Sequence, residues 1–181
     1  MTALLLLAPP IPMLFMGEEF GEQQPFFFFT DFEGELAHAV KQGRKAEAEK
    51  FGGMPERKTV HDLPDPGAED TFQRSKLDWS RPMSPDGRRQ TDFVRELIRL
   101  RREHVVPLLA GPGTAVPHIL PAEDGILAVD WRFHEATLGI RANFAKKETP
   151  WPAMEGETIF AVSNGTAAGP SIIVAIDRSR P

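Results

Sequence analysis

The 181-residue sequence contains no cysteine. Disulfide bonds and thiolate metal sites are therefore excluded. We also expect no secretory leader, because the apolar start "MTALLLLAPP" has no basic residue before Lys41 and runs directly into prolines. That apolar run is much shorter than the roughly 20 residues that span a bilayer. From these absences we expect a cytoplasmic chain with no membrane partner.

Positive charge is in short supply as well. The 21 Lys and Arg residues are outnumbered by 26 Asp and Glu residues, which gives a formal net charge of -5. This balance disfavours nucleic acid as a partner. The five histidines show no metal-ligand spacing, and the sequence has no phosphate loop, dinucleotide fingerprint or serine nucleophile elbow. We therefore predict no nucleic-acid partner, no bound metal and no cofactor.

The first 110 residues alternate short apolar runs with long connections, as 17 prolines would favour. Thr2–Ala8 is typical of the end of a buried helix, and Met13–Met16 of a strand that is covered on both faces. A weak helical pattern follows from Phe32 to about Phe51. The clearest helix is predicted over Gln90–His104, with Ser84 and Pro85 as its start signal and Pro107 as its stop signal.

Two further stretches complete the predicted organisation. The proline-rich, polar excursion Gly52–Pro85 is long enough to have a function or to wrap a neighbour. The last third has the alternation of short strands, with Asn164–Gly165 as a predicted hairpin turn. These strands predict an antiparallel β-sandwich, and the chain as a whole predicts an α+β fold with domains at 1–110 and 111–181. The predicted strands are Gly125–Phe133, Ala136–Ala145, Thr158–Val162 and Ser171–Ile176.

The apolar stretch "IPMLFMGEEFGE" ends abruptly in a glycine and two adjacent glutamates. Chemistry in parallel barrels and doubly wound sheets lies at the carboxyl ends of the strands, so Glu18 and Glu19 could stand at the rim of a site. Exposed acids on loops are common, and the spacing alone favours that simpler interpretation.

Longer stretches resemble known proteins. "PPIPMLFMGEEFGE" resembles the last barrel strand of the α-amylase superfamily, whose pattern P-x-x-x-x-G-x-E is matched by Pro12, Gly17 and Glu19. "PFFFFTDFEGELAHAVKQGRKAE" and "LPDPGAEDTFQRSKLDW" resemble the malto-oligosyltrehalose trehalohydrolase family, and "FVRELIRLRREHVVPLL" is similar to its last barrel helix. The resemblance covers residues 1–110. It implies the last strand and helix of a (β/α)₈ barrel, followed by a small antiparallel β-sandwich domain.

The resemblance implies a function for a longer parent. That parent would be a glycoside hydrolase that releases trehalose from maltooligosyltrehalose by cleaving the α-1,4 bond next to the trehalose end. The family's aspartate nucleophile, glutamate acid/base and second aspartate lie on earlier strands, so we expect the chain alone to be inactive and Met1 to mark a truncated gene model or a cloned fragment. A glucan branching enzyme, another α-amylase relative and a non-catalytic β-sandwich binding module stay open as alternatives.

Three residues are implied as substrate-binding or supporting groups. They are Glu19 in the strand motif, and Phe28 and Asp31 in the stretch that matches P-F-x-F-F-T-D. Phe28 could stack on a pyranose ring, or it could belong to a hydrophobic plug, which is the favoured interpretation of the other phenylalanines in the run and of Trp79. A basic helix face is expected to be solvated, with contacts to sugar hydroxyls as the alternative; it comprises Lys41, Arg44 and Lys45.

Overall fold

A computed structural model of the chain describes residues 1–50, 63–145, 147, 149–163 and 170–179. The contacts divide the chain into two compact units, each of which is described by itself. One unit combines Met1–Phe15 with Arg88–Pro181, and the other is Met16–Gly87. The predicted domain boundary after residue 110 concerns a longer parent and stays a prediction.

The first unit contains one antiparallel sheet of five strands in the order β1-β2-β3-β5-β4. Its central strand β3 is paired on both sides, with Ile140 opposite Val129 of β2 and Val174 of β5. Four of the five strands were predicted from alternation and are confirmed, whereas the predicted Asn164–Gly165 turn lies outside the described residues. The strands are β1 (Val116–Ile119), β2 (Ile126–Arg132), β3 (Thr137–Asn143), β4 (Glu157–Ser163) and β5 (Ser171–Asp177).

Helices cover one face of this sheet. The short helix α1 (Thr2–Leu7) confirms the predicted buried helix, and both Leu6 and Leu7 lie in the core. Leu97, from a later helix, packs into the same apolar cluster, which also contains alternate residues of β3 and β5 such as Leu138 and Val174. Side chains two apart on a strand share a face, so these residues define the buried side of the sheet. The α+β class is confirmed.

The opposite face of the sheet is covered by the connection between β3 and β4. Arg141 points to this face and is 1% exposed. Its guanidinium donates hydrogen bonds to the Asp130 carboxylate at 2.8 Å and to the carbonyls of Pro152 and Ala153 at 3.1 and 3.2 Å. The predicted sandwich is therefore wrong for the described residues, which form a single sheet. A folded-back connection takes the place of the second sheet.

The long helix does not end where the sequence predicted. Helix α4 (Pro85–Leu100) begins at the predicted signal and runs into a π-helical turn (Arg101–Val105) and then α5 (Val106–Ala110). Pro107 was expected to stop the helix, and that expectation is wrong. Proline is the second residue of α5, directly after the π-helical turn.

Arg101, at the start of the π-helical turn, caps the end of α1. Its guanidinium donates hydrogen bonds to the carbonyls of Leu6 and Ala8 at 3.0 and 2.6 Å, and to those of Pro9 and Pro10 at 3.2 and 3.1 Å. The last carbonyls of a helix have no intrahelical donor, and prolines cannot supply one. Burial lowers the pKa of Arg101.

The predicted strand Met13–Met16 is not formed among the described residues. Its side chains are largely open to solvent, with Met13 82% exposed and Ile11 beside it 94% exposed. A strand exists through hydrogen bonds to a neighbour, and the described residues supply no partner strand here. The barrel strand is therefore not confirmed.

The second unit, Met16–Gly87, consists of helices joined by loops. Helix α2 (Gly34–Lys50) confirms the weak helical prediction and buries no residue, and α3 (Glu69–Gln73) lies inside the predicted long excursion. Short 3-10 turns occur at Glu18–Phe20 and Arg81–Met83. Within the described ranges, no helix is long and apolar enough to cross a membrane.

Candidate functional site

The two glutamates that end the apolar stretch lie in a tight turn. Gly17 precedes the turn in the left-handed conformation, with φ at 85°. A Cβ atom at this position would lie 2.5 Å from the Glu22 Cβ, so the backbone geometry and the space both require glycine. Phe20 is buried, whereas Glu18 and Glu19 are exposed. The role of Glu19 at a substrate site stays a prediction.

The carboxylate that organises this region is Glu22, which the sequence did not single out. Its Oε1 accepts hydrogen bonds from the N–H groups of Gln23 and Gln24 at 2.6 and 2.8 Å. Its Oε2 accepts the N–H of Asp78 at 2.8 Å, 56 residues along the chain. Burial raises the pKa of Glu22, but the three N–H groups outweigh that effect and leave the pKa below its ordinary value.

The loop that carries Asp78 is itself ordered by local hydrogen bonds. The Asp78 carboxylate accepts the Ser80 hydroxyl at 2.6 Å and the Ser80 N–H at 2.9 Å. These bonds, the hydroxyl foremost, lower the pKa of Asp78. Arg81 Nε donates to the Gly21 carbonyl, which adds a second bond between the loops. We refer to residues 17–22 and 77–81 together as the paired loops.

An exposed tryptophan stands on the paired loops. Trp79 is 71% exposed, and its ring centroid lies 6.2 Å from that of the buried Phe20. The favoured expectation for Trp79 was packing, yet most of this side chain faces solvent. The paired loops therefore present one large aromatic face together with the exposed acids of the Glu18–Phe20 turn.

The phenylalanine run forms a plug at one position. Phe27 is buried, its N–H donates to the Ser75 hydroxyl at 3.0 Å, and Arg74 lies over its ring at 4.8 Å. Phe26 and Phe29 are substantially exposed and form an edge contact at 5.8 Å between ring centroids. The plug interpretation thus fits the buried Phe27, and Phe29 also packs on Phe72 of the long excursion at 5.1 Å between ring centroids, whereas Phe26 is about half exposed.

Phe28 and the basic face of α2 lie together. The Phe28 ring is 45% exposed, and the Arg44 guanidinium carbon lies 5.0 Å from its centroid, a cation–π contact. Lys41 forms an ion pair with Asp65, and its hydrogen bond is the main cause of a lowered Asp65 pKa. The three basic residues line a cavity of about 180 Å³ with residues 63–66, so this face is only partly solvated. Asp31 is exposed.

The structure thus groups the predicted residues in two places. Phe28 adjoins Arg44, and the turn that carries Glu19 adjoins the loop that carries Trp79. In the part of the chain that the structure describes, no group of three His, Asp or Glu side chains could hold a metal ion. The exposed side chains at these two places offer hydrogen bonding and aromatic stacking.

Comparisons with known proteins agree on one kind of relative. Residues 119–175 match a family described as "Domain of unknown function (DUF3459)". The malto-oligosyltrehalose trehalohydrolase of Deinococcus radiodurans is 44% identical over 104 residues, which cover 58% of this chain and 17% of that protein. The enzyme of the same name from Brevibacterium helvolum is 35% identical over 166 residues, covering 91% of this chain and 26% of that protein.

A solved structure matches nearly the whole chain. The 1.4 Å crystal structure of a provisionally named alpha amylase from Salmonella typhimurium is 43% identical with a TM-score of 0.83, and the match covers 97% of this chain and 29% of that one. The chain therefore spans less than a third of each of these relatives. It is a relative of the malto-oligosyltrehalose trehalohydrolases and corresponds to a part of them.

Proposed function

We propose that this chain is part of a glycoside hydrolase that releases trehalose from maltooligosyltrehalose by cleaving the α-1,4 bond next to the trehalose end. The observation that carries the proposal is the 44% identity over 104 residues to a protein named malto-oligosyltrehalose trehalohydrolase. The match to 17% of that protein supports a longer parent, which would supply the remaining barrel strands. In that parent Met13–Met16 would be paired on both sides as the last barrel strand, in the cytoplasm.

The second unit would form one wall of the sugar site. A retaining glycosidase requires two carboxyl groups about 5 Å apart across the scissile bond, and we assign both to the rest of the parent. The role left to this chain is to bind and orient sugar. Phe28 offers an aromatic face, and the exposed carboxylates of Glu19 and Asp31 can accept hydrogen bonds from sugar hydroxyls. The substrate class is accordingly an α-glucan with a trehalose end.

The test is a comparison of the longer parent with the 181-residue chain. The gene should be extended upstream of the Met1 codon, and both proteins incubated with maltooligosyltrehalose. We expect the parent to release trehalose and the 181-residue chain to release none above a buffer blank. Trehalose release by the chain alone would contradict the proposed division of roles.

A second substrate, a linear α-glucan, distinguishes the proposed function from that of a branching enzyme. A branching enzyme would form new α-1,6 branches in a linear α-glucan and would leave maltooligosyltrehalose without trehalose release. Branch formation by the parent, with no trehalose, would therefore replace the proposal by a branching function. An upstream frame that is closed would instead favour the binding-module interpretation of the chain.

A further inference from the structure

We propose that Glu22 is a positioning residue for the sugar site, because its carboxylate joins the turn that carries Glu19 to the loop that carries Trp79. The proposal rests on the proposed function for the identity of the ligand, an α-glucan with a trehalose end. Its structural part concerns the paired loops alone and can be tested without any substrate.

The geometry of Glu22 is that of a bridge. Oε1 accepts hydrogen bonds from the N–H groups of the two residues that follow Glu22, and Oε2 accepts one from the N–H of Asp78. A carboxylate can do this because both of its oxygens accept hydrogen bonds. A glutamine of the same shape has one accepting oxygen, so it cannot serve both sides. The bridge thus requires both accepting oxygens of the carboxylate.

Other contacts define what the bridge holds in place. Arg81 donates to the Gly21 carbonyl, and Leu77 approaches so closely that a Cβ on Gly17 would lie 3.1 Å from its Cδ2. The aromatic contact of Phe20 with Trp79 lies at the same junction. Because Trp79 is mostly exposed, little packing other than this junction fixes its orientation. Loss of the Glu22 bridge should therefore move Trp79 before it affects any core residue.

The bridge has a direct consequence for sugar binding. Positioned aromatic and acidic groups contribute to substrate binding in the ground state and the transition state alike, which lowers KM and leaves kcat unchanged. A residue that merely keeps the protein folded would instead reduce the fraction of active enzyme, and so kcat, at constant KM. The split between KM and kcat distinguishes the two roles.

The first experiment uses the 181-residue chain and amide hydrogen exchange of Glu22→Gln. We expect the Asp78 amide to exchange about tenfold faster or more, because it loses a hydrogen bond to a charged acceptor. Amides of Ile140 and Val174 in the sheet serve as internal references and should not change. The control is Glu19→Gln, the same chemical change at an exposed position of the preceding turn. Equal Asp78 exchange in wild type and Glu22→Gln would overturn the bridge.

The second experiment uses the longer parent and maltooligosyltrehalose. Glu22→Gln should raise KM roughly tenfold with little change in kcat, a size typical of residues that orient ligating groups. A fall in kcat at constant KM would overturn the positioning role and leave a structural one. If wild-type parent releases no trehalose, the proposed function fails. The exchange result then still decides whether Glu22 joins the paired loops.

Discussion

Arg141 and Asp130 form an ion pair of 2.8 Å across neighbouring strands, with the arginine side chain almost completely buried. The same guanidinium holds the carbonyls of Pro152 and Ala153, so one side chain fixes both the sheet and the connection that covers it. Breaking a buried ion pair is strongly destabilising, because the partner that remains is a desolvated charge without a counter-ion.

We therefore expect Arg141→Met to lower the free energy of unfolding by about 3 kcal/mol. That figure is the lower end of the range for broken buried pairs, because the Asp130 side chain is 22% exposed and water can reach it. Urea denaturation followed by circular dichroism measures the change.

A matched control is available on the adjacent strand. Arg132 is exposed, so Arg132→Met should change the free energy of unfolding by less than about 0.5 kcal/mol. Equal effects of the two substitutions would show that Arg141 does not hold the connection.

Acid should weaken the paired loops. The folded pKa of Glu22 lies below its ordinary value of 4.5, so its stabilising contribution is present above pH 4.5 and is lost as pH falls through the lowered value. The other charged groups of the paired loops are Glu18, Glu19, Asp78 and Arg81, and the lowered pKa of Asp78 acts in the same direction. The protection factor of the Asp78 amide should therefore fall as the pH is lowered below 4.5.

The Glu22→Gln variant supplies the comparison for this titration. Its Asp78 amide should show low protection at every pH, so the two proteins should converge in acid. A wild-type protection factor that stays constant down to the acid limit would contradict the role of the Glu22 charge.

The role of Glu19 is tested in the longer parent. Glu19→Gln keeps the shape of the side chain and removes its charge, so kcat/KM should fall on the order of 10- to 100-fold, as expected for a supporting group. A catalytic carboxylate would cost several orders of magnitude more. Steady-state kinetics on maltooligosyltrehalose give the answer, with Glu18→Gln as the neighbouring control. Unchanged kinetics for Glu19→Gln would assign both glutamates to a solvent loop.

The exposed apolar stretch should make the 181-residue chain associate. Ile11 and Met13 are both more than four-fifths exposed, and adjacent exposed apolar side chains favour contacts between molecules. We expect light scattering to show a mass above 20.1 kDa that rises with concentration. The double substitution Ile11→Gln and Met13→Gln should lower that mass, whereas Met83→Gln, at another exposed methionine, should not. A monomer at all concentrations would contradict this expectation.

Apolar periodicity in the sequence correctly predicted the helices and strands that pack one regular face against a core. Helix α4 and the strands β2 to β5 follow from apolar spacing because each places one face against a core. Met13–Met16 failed as a strand for a complementary reason. An apolar run is compatible with a strand, but the hydrogen bonds that make it one belong to another segment.

The site was predicted less well than the fold. Gly17 and the adjacent acids marked the turn correctly, since tight turns need glycine and leave acids exposed. Glu22 was missed because its decisive partner, the Asp78 N–H, lies 56 residues away and is a backbone group present at every non-proline position. Residue identity carries no signal for such a backbone donor.

The cap that Arg101 places on α1 has a consequence for synthesis on the ribosome. The arginine follows Ala8 by 93 residues, so α1 leaves the ribosome long before its cap is made. At about 5 to 20 residues per second, that interval lasts roughly 5 to 20 s. During it Leu6 and Leu7, which the finished unit buries, are exposed to solvent or to a chaperone. Of the helices that the structure describes, α1 is thus translated first, yet its last carbonyls are capped only after α4 has been made.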